Sequence, residues 1–202
     1  MAVAGSGLTF QEYLEWVDGS DNRYQLVQGE LIKLPPESEL NNSIANYLFL
    51  VLVNAGVPLR LVHPHTCELQ VPIIHPSDPA NRYPDLVVLC EEHLQLVQRR
   101  LTITLDMPPP RLVVEVVSPG DTNRQRDYQS KRSQYCKREI PEYWIIDPET
   151  AVVTVLRLES QQYVELGVYR GSDRVQSSLF PNLPLSAAAI FAIQPESNPN
   201  HL

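Results

Sequence analysis

The stretch Arg111-Leu112-Val113-Val114-Glu115-Val116-Val117-Ser118 decides how the rest of the chain is interpreted. Two valines precede Glu115 and two come after it, and such an apolar run is typical of a strand that is buried on both faces of a sheet. An unpaired carboxylate there would cost several kcal/mol, which is on the order of the net stability of a whole domain. Glu115 therefore needs a cation, a metal ion or a hydrogen-bond network as its partner, and it is the first candidate functional residue.

Two further acidic residues and a lysine extend this pattern. Asp85 directly precedes the apolar stretch Leu86-Val87-Val88-Leu89, and Asp127 and Lys131 are four residues apart in a helical stretch. If Asp85 and Glu115 lie on neighbouring strands with their side chains on one face, they share a divalent cation, and hard oxygen ligands favour Mg²⁺ or Mn²⁺. Lys131 is then the ammonium that orients a water molecule or stabilises charge on phosphorus. The pattern predicts a metal-dependent phosphodiesterase.

Purely structural roles for Glu115 and Asp85 explain the pattern as well, and they stay open at this point. Glu115 can form a buried ion pair with Lys131 or with an arginine, which would satisfy its charge without any catalysis. Asp85 can equally cap a turn after Pro84. The sequence alone does not separate these alternatives from a metal site.

Length and composition favour one globular domain. The 202 residues are 43% hydrophobic and 20% charged, and we expect a single domain over 1–193 followed by a flexible tail over 194–202.

Because no apolar stretch approaches the roughly 18 residues of a membrane span, and the first residues do not resemble a signal peptide, we expect no membrane partner and a cytoplasmic protein. Gly5 to Gly7 is too short for a phosphate loop, so no organic cofactor is expected.

The cysteines and histidines form no transition-metal pattern. The three cysteines include no CxxC pair and are interpreted as reduced packing residues: Cys67, Cys90 and Cys136. His63 and His65 flank Pro64 and have no third partner nearby in the sequence, so we interpret them as part of a surface loop.

Charge is unevenly distributed along the chain. The net charge of -8 argues against indiscriminate binding of polyanions over the whole surface. The segment 121–139 nevertheless carries six basic and three acidic residues, an excess of three positive charges. A solvated helix face explains this excess as well as a phosphate-binding track does. The candidate nucleic-acid contacts in the segment are Arg124, Arg126 and Arg132.

Periodicity predicts the order of helices and strands. Thr9-Phe10-Gln11-Glu12 is a capping box that starts a short helix ending near Gly19, and residues 23–28 and 30–34 flank Gly29 as the arms of a hairpin. A long core helix is predicted over 37–55, a second helix over 122–137 and a last helical turn from Ser186. Strands are predicted at 59–62, 67–74, 85–90, 112–117, 143–147, 152–158, 162–169 and around Val175.

These elements describe an α/β protein of the mixed α+β type. We expect a central mixed β-sheet flanked by α-helices, preceded by an N-terminal helix and hairpin.

Five motifs in register resemble the bacterial family, numerous in cyanobacteria, that is called putative restriction endonuclease and belongs to the PD-(D/E)XK nuclease superfamily. The family was formerly a domain of unknown function, and the resemblance extends from about residue 9 to residue 158. It implies a restriction-endonuclease-like core and magnesium-dependent cleavage of DNA. The motifs are Tyr24-Gln-Leu-Val-Gln-Gly-Glu30, Pro84-Asp85, Val114-Glu115-Val-Val-Ser118-Pro, Asp127-Tyr-Gln-Ser-Lys131-Arg-Ser-Gln-Tyr135 and Pro141-Glu-Tyr-Trp-Ile-Ile-Asp147-Pro.

The resemblance assigns roles to individual positions. Asp85 and Glu115 match the two metal-binding acids, and Glu30 matches an acid of the hairpin that becomes a further metal or water ligand. The superfamily lysine two positions after the second acid is replaced by Val117, and this family carries a lysine in the following helix, which matches Lys131.

Three more residues are expected to support the site. Asp127 lies one turn before Lys131 and holds it in place, and Tyr135 lies one turn after it and packs beneath it or touches a phosphate. A plain structural role explains Asp127 and Tyr135 equally well. Gln70, in a predicted strand, is a further candidate.

The sequence thus predicts an endonuclease with Asp85, Glu115 and Lys131 as catalytic residues and Mg²⁺ or Mn²⁺ as the cofactor. DNA is the expected partner, and a homodimer is expected because two sites related by a two-fold axis cut both strands most simply. Two other functions remain open: a nucleic-acid-binding protein that keeps the fold but turns over poorly, and a metal hydrolase of smaller phosphoesters.

Overall fold

The strand that carries Glu115 lies in the middle of the fold. The structure is a computed structural model that describes residues 7–20, 22–98 and 100–193. In chain order its elements are α1 (Phe10–Glu15), β1 (Tyr24–Val27), β2 (Glu30–Lys33), α2 (Glu39–Asn54), a 3₁₀ turn (Leu59–Leu61), β3 (Val62–Pro64), β4 (Glu68–Gln70), β5 (Asn81–Arg82), β6 (Leu86–Val88), α3 (His93–Leu96), β7 (Thr102–Ile103), β8 (Leu112–Val116), α4 (Asp121–Gln125), a π turn (Arg126–Lys131), α5 (Arg132–Lys137), β9 (Glu142–Asp147), β10 (Val152–Glu159), β11 (Gln162–Tyr169) and α6 (Ala187–Phe191).

A six-stranded sheet of order β11-β10-β9-β8-β6-β3 forms the centre of the protein. β8 pairs parallel with β9, where Glu115 lies opposite Ile145, and antiparallel with β6, where Val114 lies opposite Leu86. The remaining neighbours in this sheet are antiparallel. The predicted central mixed sheet flanked by helices is therefore confirmed.

Side chains of β8 alternate between the two faces of the sheet. One face packs with α2 and α6 through Leu112, Val114 and Val116. The opposite face packs with α5 through Val113 and Val117. Burial of each such apolar side chain contributes about 1.5–3 kcal/mol. Val113, Glu115 and Val117 alternate with the residues of the first face, so all three point to the second face. The carboxylate of Glu115 is therefore directed towards the π turn and α5.

A second, three-stranded sheet of order β5-β4-β7 is tied to the N-terminal helix by a buried carboxylate. Glu68 accepts hydrogen bonds from Tyr13 Oη, Thr102 Oγ1 and Asn81 Nδ2, each at 2.6 Å. The guanidinium of Arg100 adds an ion pair at 2.9 Å. A fully paired buried acid of this kind stabilises a fold only as long as every partner is present.

The predicted hairpin is confirmed, with β1 and β2 in antiparallel register. Gly29 in its turn has a φ of 81°, and its carbonyl accepts a hydrogen bond from the Leu8 N–H at 2.9 Å. A Cβ on Gly29 would lie 2.5 Å from the Cα of Gly7. The turn therefore requires glycine both for its backbone conformation and for the close approach of the preceding chain.

Residues 121–137 form one helical stretch that changes type in the middle. The π turn interrupts it between α4 and α5, and within this turn the Asp127 carbonyl accepts a hydrogen bond from Tyr143 Oη at 3.0 Å. The sequence predicted the helix but not the change of type. π turns of this kind occur mostly as single turns inside α-helices, frequently at functional sites.

Several element predictions were wrong in detail. Residues 59–61 of the predicted strand 59–62 form a 3₁₀ turn, because the Pro58 carbonyl accepts a hydrogen bond from the Leu61 N–H. The predicted strand 67–74 is confined to β4, since Pro72 cannot donate to a ladder. Around Val175 only an isolated bridge between Arg174 and Ser186 is present in the described chain. β5, β7 and α3 were not predicted.

The single domain over 1–193 stays a prediction. The predicted flexible tail, 194–202, lies outside the described residues. No helix within the described ranges is long and apolar enough to cross a membrane.

Candidate active site

A cavity of about 300 Å³ opens where the hairpin, the central sheet and the π turn meet. Its wall includes the three predicted catalytic residues, which come from separate elements: Asp85, Glu115 and Lys131. Folding thus gathers side chains that are spread over the chain segment from 85 to 131. The prediction that these side chains share one site is consistent with this geometry.

Glu115 is 1% exposed and both of its carboxylate oxygens are occupied. Tyr135 Oη donates to Oε1 at 2.5 Å, and Lys131 Nζ donates to Oε2 at 2.8 Å. Tyr135 is fully buried, so it contacts the acid and cannot reach a phosphate at the surface. The hydrogen-bond network that the apolar strand requires is therefore supplied by the π turn and α5.

Lys131 lies between two carboxylates. Its Nζ is 2.6 Å from Asp127 Oδ1 as well as 2.8 Å from Glu115 Oε2. Burial alone would lower the pKa of Lys131, but the charges of Glu115 and Asp127 outweigh it and raise the pKa above its ordinary value. The amine is consequently an ammonium at neutral pH.

Asp127 holds Lys131 by charge rather than by a directed hydrogen bond. Its carboxylate is buried, and neither oxygen accepts a well-oriented hydrogen bond from the described residues. Burial raises the pKa of Asp127 despite the nearby ammonium of Lys131. The predicted supporting contact between Asp127 and Lys131 is present.

Asp85 occupies the turn before β6 and is hydrogen-bonded to β8. Its Oδ2 accepts from the Val116 N–H at 2.6 Å. Burial and the negative charge of Glu115 raise the pKa of Asp85 well above its usual range. A carboxylate that is buried beside another carboxylate is stabilised by a bound cation.

Glu37 and His65 approach Asp85 from two other segments. One ligand atom from each of the three residues lies within 4.8 Å of the other two, and His65 Nδ1 is 3.5 Å from Asp85 Oδ1. Both ring nitrogens of His65 are shielded from solvent and have no hydrogen-bond partner in the part of the chain that the structure describes. His65 lies in the bend after β3, as the loop interpretation expected, whereas His63 lies within β3. The premise that His65 has no third partner was wrong, because Glu37 reaches it from a distant segment of the sequence. These three side chains can hold a metal ion.

His63 does not belong to this cluster. Its Nε2 lies 3.0 Å from the Arg60 carbonyl, and burial lowers its pKa. It is half-buried in β3, two residues before His65. The two histidines therefore have different surroundings although they are neighbours in the sequence.

Six of the predicted residues do not line the cavity. Asp127 and Tyr135 lie behind its wall, where they contact Lys131 and Glu115, and the other four lie farther away. Glu30 is exposed at the start of β2, and Gln70 accepts a hydrogen bond from the Leu105 N–H at 2.9 Å beside a different pocket. Arg124 pairs with Asp147 and Glu149, and Arg132 donates to a backbone carbonyl of β11. Of the three predicted nucleic-acid-binding arginines, the cavity wall includes Arg126.

The cavity also contains polar residues that sequence reasoning missed. Asn41 Nδ2 donates to the Val116 carbonyl at 3.2 Å, and Arg82 Nε donates to Gln134 Oε1 at 2.9 Å. Burial lowers the pKa of the Arg82 guanidinium. Asn41 lies just after a predicted helix start and Arg82 precedes Pro84-Asp85, but no local pattern marks either residue as part of a site.

A solved structure and a family model are similar to this chain. No curated protein matches the chain. The crystal structure of a putative nuclease belonging to DUF820, from Anabaena variabilis ATCC 29413, matches with a TM-score of 0.64 and 19% identity over 92% of this chain and 98% of that chain. The family model Uma2, described as putative restriction endonuclease, matches residues 10–188. The chain therefore belongs to the Uma2 family of putative restriction endonucleases.

Proposed function

We propose that the protein is an endonuclease that hydrolyses DNA phosphodiester bonds with the help of Mg²⁺ or Mn²⁺. The observation that carries this proposal is the convergence of Asp85, Glu115 and Lys131 on one cavity, with the ammonium of Lys131 fixed against Glu115. Membership of a family described as putative restriction endonucleases supports the same reaction class.

Asp85 and Glu115 are the proposed metal ligands. The raised pKa of Asp85 fits this role. Burial and the repulsion from Glu115 both disfavour the ionised form of Asp85, and a bound cation would favour it. Their oxygen donors suit Mg²⁺ and Mn²⁺. A divalent ion bound there would polarise a phosphate oxygen and lower the pKa of a coordinated water.

Lys131 is the proposed catalytic ammonium. Hydrolysis forms a bond between a water oxygen and phosphorus and breaks the bond between phosphorus and the leaving sugar oxygen, while the water loses one proton and the leaving oxygen gains one. Lys131 orients the water and stabilises the negative charge that grows on the phosphoryl oxygens. Asp127 and Tyr135 are positioning residues, since Asp127 contacts Lys131 and Tyr135 contacts Glu115.

The departure from the superfamily pattern is compatible with this assignment. Val117, at the position of the missing lysine, is 5% exposed and packs in the core. Lys131 reaches the carboxylate of Glu115 from the π turn instead. An ammonium beside the second acid is thus supplied by another element.

DNA is proposed to enter past Arg126. This side chain lines the cavity, is 40% exposed and lies 3.6 Å from Asp127 Oδ1, so it can exchange this weak contact for a phosphate. Arg124 and Arg132 serve as outer contacts only if they leave their present partners. Two protomers related by a two-fold axis would cut both strands, and the predicted homodimer is checked by light scattering on a size-exclusion column.

The function is tested on supercoiled plasmid. Wild type is incubated with Mg²⁺, with Mn²⁺ or with EDTA, in parallel with Asp85→Asn and Glu115→Gln. Glu91→Gln, an exposed acid outside the cavity, is the matched control. We expect metal-dependent nicking or linearisation by wild type and the control, and none by the two site variants.

Two results would refute the proposal. If no plasmid is cut by wild type although it binds the DNA, the nucleic-acid-binding alternative is favoured. If a small phosphodiester is hydrolysed and DNA does not compete with it, the substrate assignment is wrong.

A further inference from the structure

We propose that Glu37, His65 and Asp85 form a second cation position that shares Asp85 with the first and selects a transition-metal ion over Mg²⁺. The proposal rests on the proposed function only in that Asp85 serves both positions. It concerns which ion the site prefers and which residues hold it.

The imidazole of His65 carries the argument. Its side chain is 12% exposed, and neither of its ring nitrogens makes a hydrogen bond within the described residues, although Asp85 Oδ1 lies 3.5 Å from Nδ1. Buried polar atoms are almost always paired, and an orphan in a native protein calls for a specific explanation such as an ion. A metal ion uses a nitrogen lone pair of the neutral ring directly.

The spacing of the three side chains fits one ion. Bonds of about 2.0–2.2 Å to nitrogen and oxygen place neighbouring ligand atoms about 3.0–3.6 Å apart in tetrahedral or octahedral geometry. His65 Nδ1 and Asp85 Oδ1 are 3.5 Å apart, and Glu37 offers an oxygen within 4.8 Å of both. Closing the remaining distance requires a rotation of the exposed Glu37 side chain, which is paired with Arg23 at 2.9 Å.

The backbone holds His65 and Asp85 in register. The His65 N–H donates to the Asp85 carbonyl at 2.9 Å, directly beyond the paired residues of β3 and β6. Arg23 donates to the His65 carbonyl at 3.1 Å and to Glu37 Oε1 at 2.9 Å. One arginine therefore connects the two segments that supply the imidazole and the second carboxylate.

The donor set decides which ion is preferred. Imidazole nitrogen suits Zn²⁺, Co²⁺ and related transition metals, whereas Mg²⁺ prefers carboxylates, carbonyls and water. A site with one nitrogen and two carboxylates is of the composition that binds Zn²⁺, Co²⁺ or Mn²⁺ and leaves coordination positions open. Asp85 and Glu115, with oxygen donors alone, remain the position for Mg²⁺.

The test uses Co²⁺, whose visible absorption reports its ligands independently of DNA cleavage. Wild type is titrated with Co²⁺ in the presence of excess Mg²⁺, and the same is done for His65→Ala, Glu37→Gln, Glu115→Gln and the control His63→Ala. We expect His65→Ala and Glu37→Gln to weaken Co²⁺ binding by more than about tenfold, since even residues outside the ligand set change metal affinity by about 10–100-fold. Glu115→Gln and His63→Ala should keep the Co²⁺ spectrum of wild type.

Plasmid cleavage by the same preparations separates this proposal from the proposed function. If His65→Ala and wild type bind Co²⁺ equally, or wild type shows no Co²⁺ bands, the second position is refuted, whether or not DNA is cut. If Co²⁺ binding depends on His65 and Glu37 but wild type cuts no DNA with any ion, the second position stands and the nuclease function fails. Glu37 is exposed, so Glu37→Gln remains informative if His65→Ala does not fold.

Discussion

The ammonium of Lys131 donates a hydrogen bond to Glu115 Oε2 at 2.8 Å, although one residue lies in the π turn and the other in the central strand. This contact satisfies the buried charge of β8 and also places a cation at the cavity wall. A structural ion pair and a catalytic ammonium are therefore not exclusive alternatives for this pair. They are separated by measuring stability and cleavage in the same variants.

Replacing Lys131 by Met should abolish plasmid cleavage and lower the free energy of unfolding. Breaking one side of a buried ion pair costs about 3–5 kcal/mol, because the remaining charge has lost its partner. The double variant Glu115→Gln/Lys131→Met should recover much of this stability without recovering cleavage. Urea denaturation and the plasmid assay measure the two effects; equal instability of the single and double variants would contradict the pairing.

Replacing Asp85 by Asn should make the metal-free protein more stable at neutral pH. The pKa of Asp85 is raised in the folded state by burial and by Glu115, so the stability linked to this group is present below the unfolded pKa and is lost as pH rises through the folded pKa. Asn carries no such charge and keeps an acceptor for the Val116 N–H.

Thermal unfolding in EDTA at several pH values measures this difference. The advantage of Asp85→Asn should grow from about pH 4 to about pH 8, and addition of Mg²⁺ should stabilise wild type but not the variant. A variant that is less stable than wild type throughout this range would contradict the prediction.

Two buried tyrosines provide a matched comparison. Tyr135 donates to Glu115, and Tyr13 donates to Glu68 in the network that ties α1 to the second sheet. Because hydrogen bonds to charged groups contribute about 1.5–3 kcal/mol, Tyr135→Phe and Tyr13→Phe should both lower the free energy of unfolding by this amount. Only Tyr135→Phe should also lower the rate of plasmid cleavage, and a similar loss of cleavage in both variants would argue against a positioning role for Tyr135.

His93 should make part of the stability sensitive to mild acid. Its Nδ1 accepts from the Cys90 N–H at 3.0 Å and its Nε2 lies 2.9 Å from the Pro108 carbonyl, an arrangement that requires the neutral ring protonated on Nε2. Burial lowers the pKa of His93. The stability linked to it is therefore present above the unfolded pKa of about 6.5 and is lost as pH falls through the lower, folded pKa.

The loss of stability in acid is measured by chemical denaturation of wild type and His93→Gln at about pH 7.5 and about pH 5.5. The difference between the two pH values should be smaller in the variant, whatever its stability at the higher pH. An unchanged difference would show that other groups account for the loss in acid.

Much of the fold can be predicted from local patterns in the sequence. The valine run around Glu115, the capping box at Thr9 and the glycine turn at Gly29 each produce the predicted element. The short strands β5 and β7 have only two residues each, too few for a period to be recognised. They form because tertiary neighbours satisfy their backbone groups.

The site was only partly predictable for a different reason. Glu115 stands out because a carboxylate is anomalous in an apolar strand, and Lys131 was identified by its spacing from Asp127 and by the family resemblance. Glu37 and His65 are ordinary in theirs, and only the folded chain brings them to Asp85. Likewise nothing local shows that Arg124 is engaged by Asp147 whereas Arg126 faces the cavity.

The π turn makes the length of this helix as important as its composition. A π turn holds one more residue than a turn of α-helix, so the loss of one residue there leaves the helices on either side in phase. A deletion at Gln129 or Ser130 would restore a regular helix but would reduce the spacing between Asp127 and Lys131 from four residues to three. The segment should therefore accept many exchanges at Gln129 or Ser130, whereas the loss of either residue should disturb the contact that holds Lys131 and leave the helix intact.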